Sequence, residues 1–133
     1  MTRKNKQLLL KDLSARLPYE VKVEWEGNTY FVDSINRYNE LQVEGANFTV
    51  PIYESKPYLR PISSMTEEEQ KEFEEFCIID EDVWMNNGII GYVNQSEIMS
   101  KGIDWLNAHH FDYRGLIEKG LALEATSETY NKE

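Results

Sequence analysis

Both histidines of the chain lie in one nine-residue stretch, Trp105–Tyr113, which reads WLNAHHFDY. His109 and His110 are adjacent, and Asp112 follows two residues after the pair. Imidazoles and carboxylates are common zinc ligands and the usual groups of acid–base catalysis. The stretch therefore raises two hypotheses: a small metal-dependent enzyme built on these three side chains, or a structural corner at the end of a helix.

The spacing of the histidines favours the structural hypothesis. Adjacent helical residues point about 100° apart, whereas helical zinc ligands are usually separated by four positions. The chain has one cysteine, Cys77, and no third histidine that would complete a ligand set. We therefore assign no catalytic residue, metal or cofactor from the sequence, and keep His109, His110 and Asp112 as the alternative site.

A helix, a corner and a second helix account for the same residues. Apolar side chains recur at helical spacing over 96–110, with Ser96 as the N-cap and both histidines in the last turn, where positive charge suits the helix dipole. Asp112 is a suitable N-cap for a short helix over 113–119, and Gly120 suits the position just after its end.

The elements that must carry this corner form an α+β pattern. A leucine stripe predicts a helix over 5–17, which Pro18 ends. Alternating residues then predict a four-stranded antiparallel meander whose second turn is 44–46 and whose last strand ends near Pro51. Residues 56–65 are expected to form an extended connector, and the C-terminal helices are expected to pack on one sheet face.

The first hairpin of the meander has a predicted register. A two-residue turn at Gly27–Asn28 would place Trp25 opposite Tyr30, and Val23 opposite Val32. Both are favourable cross-strand pairs, which supports this alignment.

An acidic run follows the predicted sheet. Thr66 and Glu69 form a capping box that predicts a helix over 66–77. Residues 67–82 hold nine acidic residues against one lysine, and 78–95 reads as a hairpin, an inserted loop or a mixture of both. This region is either a solvated helix face with core aromatics or a binding surface for a basic protein. The candidate binding residues are Glu67, Glu68, Glu72, Glu75, Asp80, Asp82, Trp84 and Tyr92.

Length and composition indicate one domain. The 133 residues are 41% hydrophobic, and we expect a domain over 1–124 followed by a polar, frayed tail over 125–133. No apolar run is long enough to span a membrane, and the N-terminus lacks the apolar core of a signal peptide. The lone Cys77 suits a buried residue in a reducing compartment, so a cytoplasmic protein is expected.

Charge is distributed unevenly along the chain. The net charge is −10, with +4 on residues 1–22 and −14 on residues 23–133. Such an acidic body repels phosphate groups, so direct nucleic-acid binding is not expected. A hydrophobic sheet face left uncovered would favour a homodimer.

Three segments carry a resemblance to a known group of proteins. They read LLKDLSARLPYEVKV, KPYLRPISSMTEEE and DWLNAHHFDYRGLIEKGLALEA. In these segments the chain resembles small uncharacterised proteins encoded by gut Bacteroidetes genomes and by their phages or other mobile elements. The resemblance implies an intracellular accessory protein with a shared α+β fold, and it implies no catalytic residues.

The sequence lacks a G-x-S-x-G elbow, a P-loop and a G-x-G-x-x-G motif. Their absence favours a non-catalytic role. We therefore predict a protein-binding accessory module of a phage or mobile element, with an unknown protein partner for which a basic protein is the candidate. One alternative is an acidic DNA mimic that inhibits a DNA-binding host enzyme, and the other is the metal-dependent enzyme at the histidine corner.

Overall fold

A computed structural model describes residues 1–77, 95–126 and 128–130 of the chain. These residues form an α+β fold with an N-terminal helix and a mostly antiparallel sheet, as the sequence predicts. The helices are α1 (Arg3–Arg16), α2 (Glu67–Cys77) and α3 (Gln95–Ala108). The strands are β1 (Lys22–Trp25), β2 (Asn28–Ile35), β3 (Glu40–Val43), β4 (Thr49–Pro51), β5 (Lys56–Pro61), β6 (Phe111–Asp112) and β7 (Leu123–Glu124).

The described strands form one sheet in the order β4-β3-β2-β1-β5-β6, with β7 also paired to β5. Strands β1 to β4 are consecutive antiparallel neighbours and form the predicted meander. The predicted count of four strands is too low, because residues 56–61 pair antiparallel with β1 and form a strand rather than a connector. The two-residue strands β6 and β7 pair parallel with β5 and are too short for an alternating pattern to mark them.

The register of the first hairpin differs from the prediction by two residues. Trp25 pairs with Asn28, and Val23 pairs with Tyr30. The turn lies at Glu26 and Gly27, which both adopt positive φ angles of 50° and 82°, as a tight hairpin turn requires. A shift of two residues keeps every side chain on its face of the sheet. The rings of Trp25 and Tyr30 therefore still lie 6.5 Å apart.

Helix α1 covers the core face of the meander. It begins two residues earlier than predicted because the Thr2 hydroxyl accepts the N–H of Asn5 at 3.1 Å. Leu9 and Leu13 of α1 are fully buried. They belong to a core cluster that also contains Val21, Val23, Val32, Leu41, Val43, Val50 and Ile52. No described helix is long and apolar enough to cross a membrane.

A buried ion cluster joins α1 to the segment that follows α3. Asp12 and Arg16 have fully buried side chains, and their Oδ2 and Nε atoms lie 2.8 Å apart. Arg114 approaches the other carboxylate oxygen of Asp12, also at 2.8 Å. Nη2 of Arg16 donates to the carbonyl of Phe111 at 2.6 Å. One carboxylate thus pairs with two guanidinium groups, and Arg16 ties the first helix to β6.

We expect Asp12→Ala to destabilise the protein by about 3–5 kcal/mol, because it leaves Arg16 charged and buried without its partner. Urea unfolding at pH 7 measures this loss as the free energy of unfolding. The matched control is the double substitution Asp12→Leu with Arg16→Met, which removes the two fully buried charges and leaves only the partly exposed Arg114 without its carboxylate, as the single substitution also does. It should cost clearly less than the single substitution. If both variants lose the same free energy, buried charge does not cause the effect.

Candidate functional site

The histidine corner begins where α3 ends, at Ala108. The sequence predicts both histidines inside the helix, but they follow it. The N–H of His109 still donates to the Trp105 carbonyl at 3.1 Å. The N–H of His110 donates to the Asn107 carbonyl, also at 3.1 Å. His110 then adopts a left-handed backbone with φ of 64°, a conformation that ends a helix and reverses the chain direction.

The two imidazoles stack on different aromatic rings. His109 stacks on Trp105 with a centroid distance of 3.9 Å, and its Nδ1 lies 2.9 Å from the Trp105 carbonyl. His110 stacks on Tyr130 with a centroid distance of 3.6 Å and an interplanar angle of 8°. The two rings therefore serve separate contacts.

Asp112 is used within the corner itself. Its carboxylate accepts the N–H groups of Leu116 and Ile117, each at 2.9 Å. Asp112 therefore caps a turn, as expected, but the predicted helix over 113–119 is not formed. Gly115 has a φ of 73°, and this left-handed residue interrupts a right-handed helix.

Gly120 closes this turn as the sequence predicts. Gly120 has a φ of 74°, and its N–H donates to the Ile117 carbonyl at 3.1 Å. The N–H of Leu121 donates to the Leu116 carbonyl at 2.9 Å. These two bonds are the Schellman pattern of a helix end. Leu116 and Leu121 then pack in a second core cluster with Leu59 and Ala122.

The corner does not present a metal site. Among the described residues, no group of three or more His, Cys, Asp or Glu side chains could hold a metal ion. His109 and His110 contact different rings, and the carboxylate oxygens of Asp112 both accept backbone N–H groups.

Two clefts lie beside the corner. The first has a volume of about 530 Å³ and is lined by Pro18, Tyr19, Glu20, Arg60, Ala108, His109, His110 and Tyr130. The second has a volume of about 540 Å³ and is lined by Arg60, Ser64, Thr66, Glu69, Ala125, Thr126 and Tyr130. Arg60 and Tyr130 line both clefts. Glu20 and His110, which line the first, both have left-handed backbones, and such residues often occur at functional sites.

Arg60 fixes the start of α2. Its two terminal nitrogens donate to the two carboxylate oxygens of Glu69, each at 2.7 Å, and its guanidinium lies over the Phe111 ring. Glu69 also accepts the Thr66 N–H at 3.1 Å, while its own N–H bonds to the Thr66 hydroxyl at 3.1 Å. The predicted capping box is thus present. The Arg60 guanidinium lowers the pKa of Glu69 to about 2.

The predicted acidic surface is partly described. Glu67, Glu68, Glu72 and Glu75 are exposed on α2. Glu72 also accepts the indole N–H of Trp105 at 3.2 Å and lies 3.8 Å from Nε2 of His109. The remaining predicted binding residues lie outside the described part of the chain; they are Asp80, Asp82, Trp84 and Tyr92.

Neither Arg60 nor Tyr130 was predicted from the sequence as a site residue, and Tyr130 lies in the predicted polar tail. Its hydroxyl accepts the N–H of Lys22 at 3.0 Å and donates to the carbonyl of Tyr58 at 2.7 Å. Burial raises the pKa of this phenol above its usual range. Tyr130 is therefore held against β1 and β5 by both hydrogen bonds. The one signal available in the sequence was a large aromatic residue within an otherwise polar segment.

Comparison with known proteins gives no match. No protein-family model, curated protein or solved structure is similar to this chain. The function must therefore be inferred from the geometry.

We expect Glu69→Gln to lower the free energy of unfolding by about 1 kcal/mol at pH 7, because it removes the charge that pairs with Arg60 and weakens the cap. The folded-state pKa of Glu69 lies below its ordinary value of 4.5, so this contribution is complete above pH 4.5 and is lost as the pH falls through about 2. Urea unfolding of both proteins at several pH values measures the difference. A difference that persists unchanged at pH 2 would contradict the assignment.

Proposed function

We propose that this chain is a non-catalytic, intracellular protein-binding module and that the outer face of α2 binds a basic surface on its partner. The observation that carries the proposal is how the carboxylates of α2 are used. Glu69 and Glu72 face the body of the protein, where they bond to Arg60 and Trp105. The other four, Glu67, Glu68, Glu74 and Glu75, are exposed and make no ion pair among the described residues.

The acidic face lies on a firmly held element. The capping box fixes the first turn of α2. Further along α2, the Phe73 ring packs on the Trp105 ring of α3, with 5.2 Å between the ring centroids. Carboxylates that are held in place lose less conformational freedom on binding than those of a flexible segment. Such a face suits electrostatic attraction of a positively charged partner, which raises the association rate and falls with salt.

An exposed aromatic ring lies on the same helix. Phe76 is three positions after Phe73, so the two share one side of α2, and 48% of Phe76 is exposed. Protein interfaces are enriched in aromatic residues at their centre and have a polar rim. Phe76 beside the exposed carboxylates fits that composition.

The DNA-mimic alternative has less support. An 11-residue helix is about 16 Å long, which is about half of the 34 Å of one B-DNA turn. Other carboxylates are used internally: Asp12 pairs with two arginines, and Asp112 caps a turn. The metal-enzyme alternative is weaker still, because the corner side chains are committed to separate contacts.

The phage or mobile-element origin remains part of the proposal and is supported by the resemblance of three segments. KPYLRPISSMTEEE builds β5 and the capping box, whereas DWLNAHHFDYRGLIEKGLALEA builds the end of α3 and the corner. We infer that the related proteins share this scaffold. A cytoplasmic location fits the single cysteine and is proposed on the same basis.

The test removes the exposed charges of α2. In the variant Glu67→Gln, Glu68→Gln, Glu74→Gln and Glu75→Gln, the partner's affinity should fall at least about tenfold, because four carboxylates that face the basic surface become neutral. Affinity capture from a Bacteroidetes lysate with quantitative mass spectrometry identifies the partner. Titration of the purified partner against each variant then measures the dissociation constant of the complex.

The matched control carries the same change in net charge elsewhere. It replaces four other exposed glutamates by glutamine: Glu44, Glu54, Glu118 and Glu124. A partner that the control variant retains and the α2 variant loses supports the proposal. If both variants recover the same proteins in the same amounts, α2 is a solvated face and the proposal is wrong.

A further inference from the structure

The hydroxyl of Tyr130 bridges the backbones of strands β1 and β5. Strands β1 and β5 pair at Glu24 with Lys56 and at Val23 with Pro57, so the next pair in the ladder would be Lys22 with Tyr58. The described register of β1 and β5 ends before this pair. At this position the Tyr130 hydroxyl accepts the N–H of Lys22 and donates to the carbonyl of Tyr58. A donor and an acceptor of the backbone therefore converge on one phenolic oxygen.

The ring of Tyr130 is recognised as closely as its hydroxyl. His110 stacks on it almost in parallel, with 3.6 Å between the centroids. The Lys22 ammonium lies 5.7 Å from the ring centroid and also donates to the carbonyl of Thr129. Stacking and a nearby cation suit an electron-rich aromatic ring.

We propose that the space between His110, β1 and β5 is a phenol-binding slot, which Tyr130 of the same chain occupies. The ligand class is a tyrosyl side chain or another para-substituted phenol. The proposal is independent of the acidic face of α2, which contributes no contact to the phenol.

The attachment of Tyr130 allows the slot to open. After β7, the N–H of Thr126 bonds to the Thr129 hydroxyl at 2.9 Å. Thr126 and Glu128 are exposed. An exposed segment can open locally at a lower cost than global unfolding, and here opening breaks the contacts of Tyr130. Opening leaves the N–H of Lys22 and the carbonyl of Tyr58 without the phenol.

The opened slot selects for a hydroxylated ring. A phenol restores both backbone hydrogen bonds, whereas an apolar ring of the same shape leaves one donor and one acceptor unsatisfied. Phenols should therefore bind better than toluene.

The experiment uses the full chain with Tyr130→Ala and p-cresol, the side-chain analogue of tyrosine. Millimolar p-cresol should raise the melting temperature of this variant by about 3 °C or more. It should shift wild-type protein far less, because Tyr130 already fills the slot. Toluene should produce less than half the shift of p-cresol. Tyr38→Ala is the matched control, since Tyr38 is 67% exposed and its loss opens no slot.

Each other outcome overturns the proposal. Equal shifts in wild type and Tyr130→Ala mean non-specific binding, and equal shifts with toluene and p-cresol mean a plain apolar hole. The absence of any shift means that no phenol site exists. If Tyr130→Ala does not fold without a ligand, the same titration is followed by far-ultraviolet circular dichroism. The proposal then requires that p-cresol restores the folded spectrum and that toluene does not.

A peptide of residues 126–133 distinguishes the two sources of the phenol. Added to Tyr130→Ala, it should bind more tightly than p-cresol if the slot accepts a chain segment, because the carbonyl of Thr129 adds its bond to Lys22. Equal affinities would identify a small phenol as the ligand. The same peptide with Tyr130→Phe is its control and should bind at least tenfold more weakly.

Discussion

The carboxylate of Asp12 holds the histidine corner against α1. It is fully buried and pairs with Arg16 of the same helix and with Arg114 of the corner. Charges of this kind are costly to bury unless they are paired and hydrogen-bonded, so alternative arrangements of α1 and the corner are disfavoured. Arg16 also donates to Phe111, 95 positions away in the chain, and so links the first helix to β6.

The surfaces beside the corner follow from this link. Because β6 is fixed against β5, Arg60 can lie over the Phe111 ring and still reach Glu69 at the start of α2. The reversal at His110 then brings its imidazole against Tyr130. One strand and one corner thus support both the acidic helix and the phenol slot.

The sequence predicted local structure better than distant contacts. The leucine stripe of α1, the capping box of α2 and the closing role of Gly120 depend on neighbouring residues, and all three are confirmed. The predicted helix over 113–119 does not form because Gly115 adopts a left-handed backbone that interrupts it, although Asp112 caps the turn. The hairpin register was wrong by two residues because Glu26 takes a positive φ that side chains rarely adopt.

The site depended on contacts that no local pattern could reveal. The ring of Tyr130 meets His110 only because two distant segments reach β5, and the pairing of Arg60 with Glu69 joins a strand to a helix. Histidine, arginine and tyrosine have no fixed spacing in such a site. The acidic character of α2 and the two histidines could be read directly from the sequence, but their partners could not.

The position of β5 in the sheet also bears on the order in which the protein folds. Its partners are distant in sequence: Val23 pairs with Pro57, Phe111 with Arg60 and Leu123 with Tyr58. The β1–β4 hairpins close short loops, whereas each contact of β5 must first overcome the entropy of closing a long one. We therefore expect pulse-labelling hydrogen exchange to show protection first in β1–β4, and only later in β5 and the corner. During that interval the unpaired edge of β1 is exposed, which makes the late docking of β5 the step most vulnerable to aggregation.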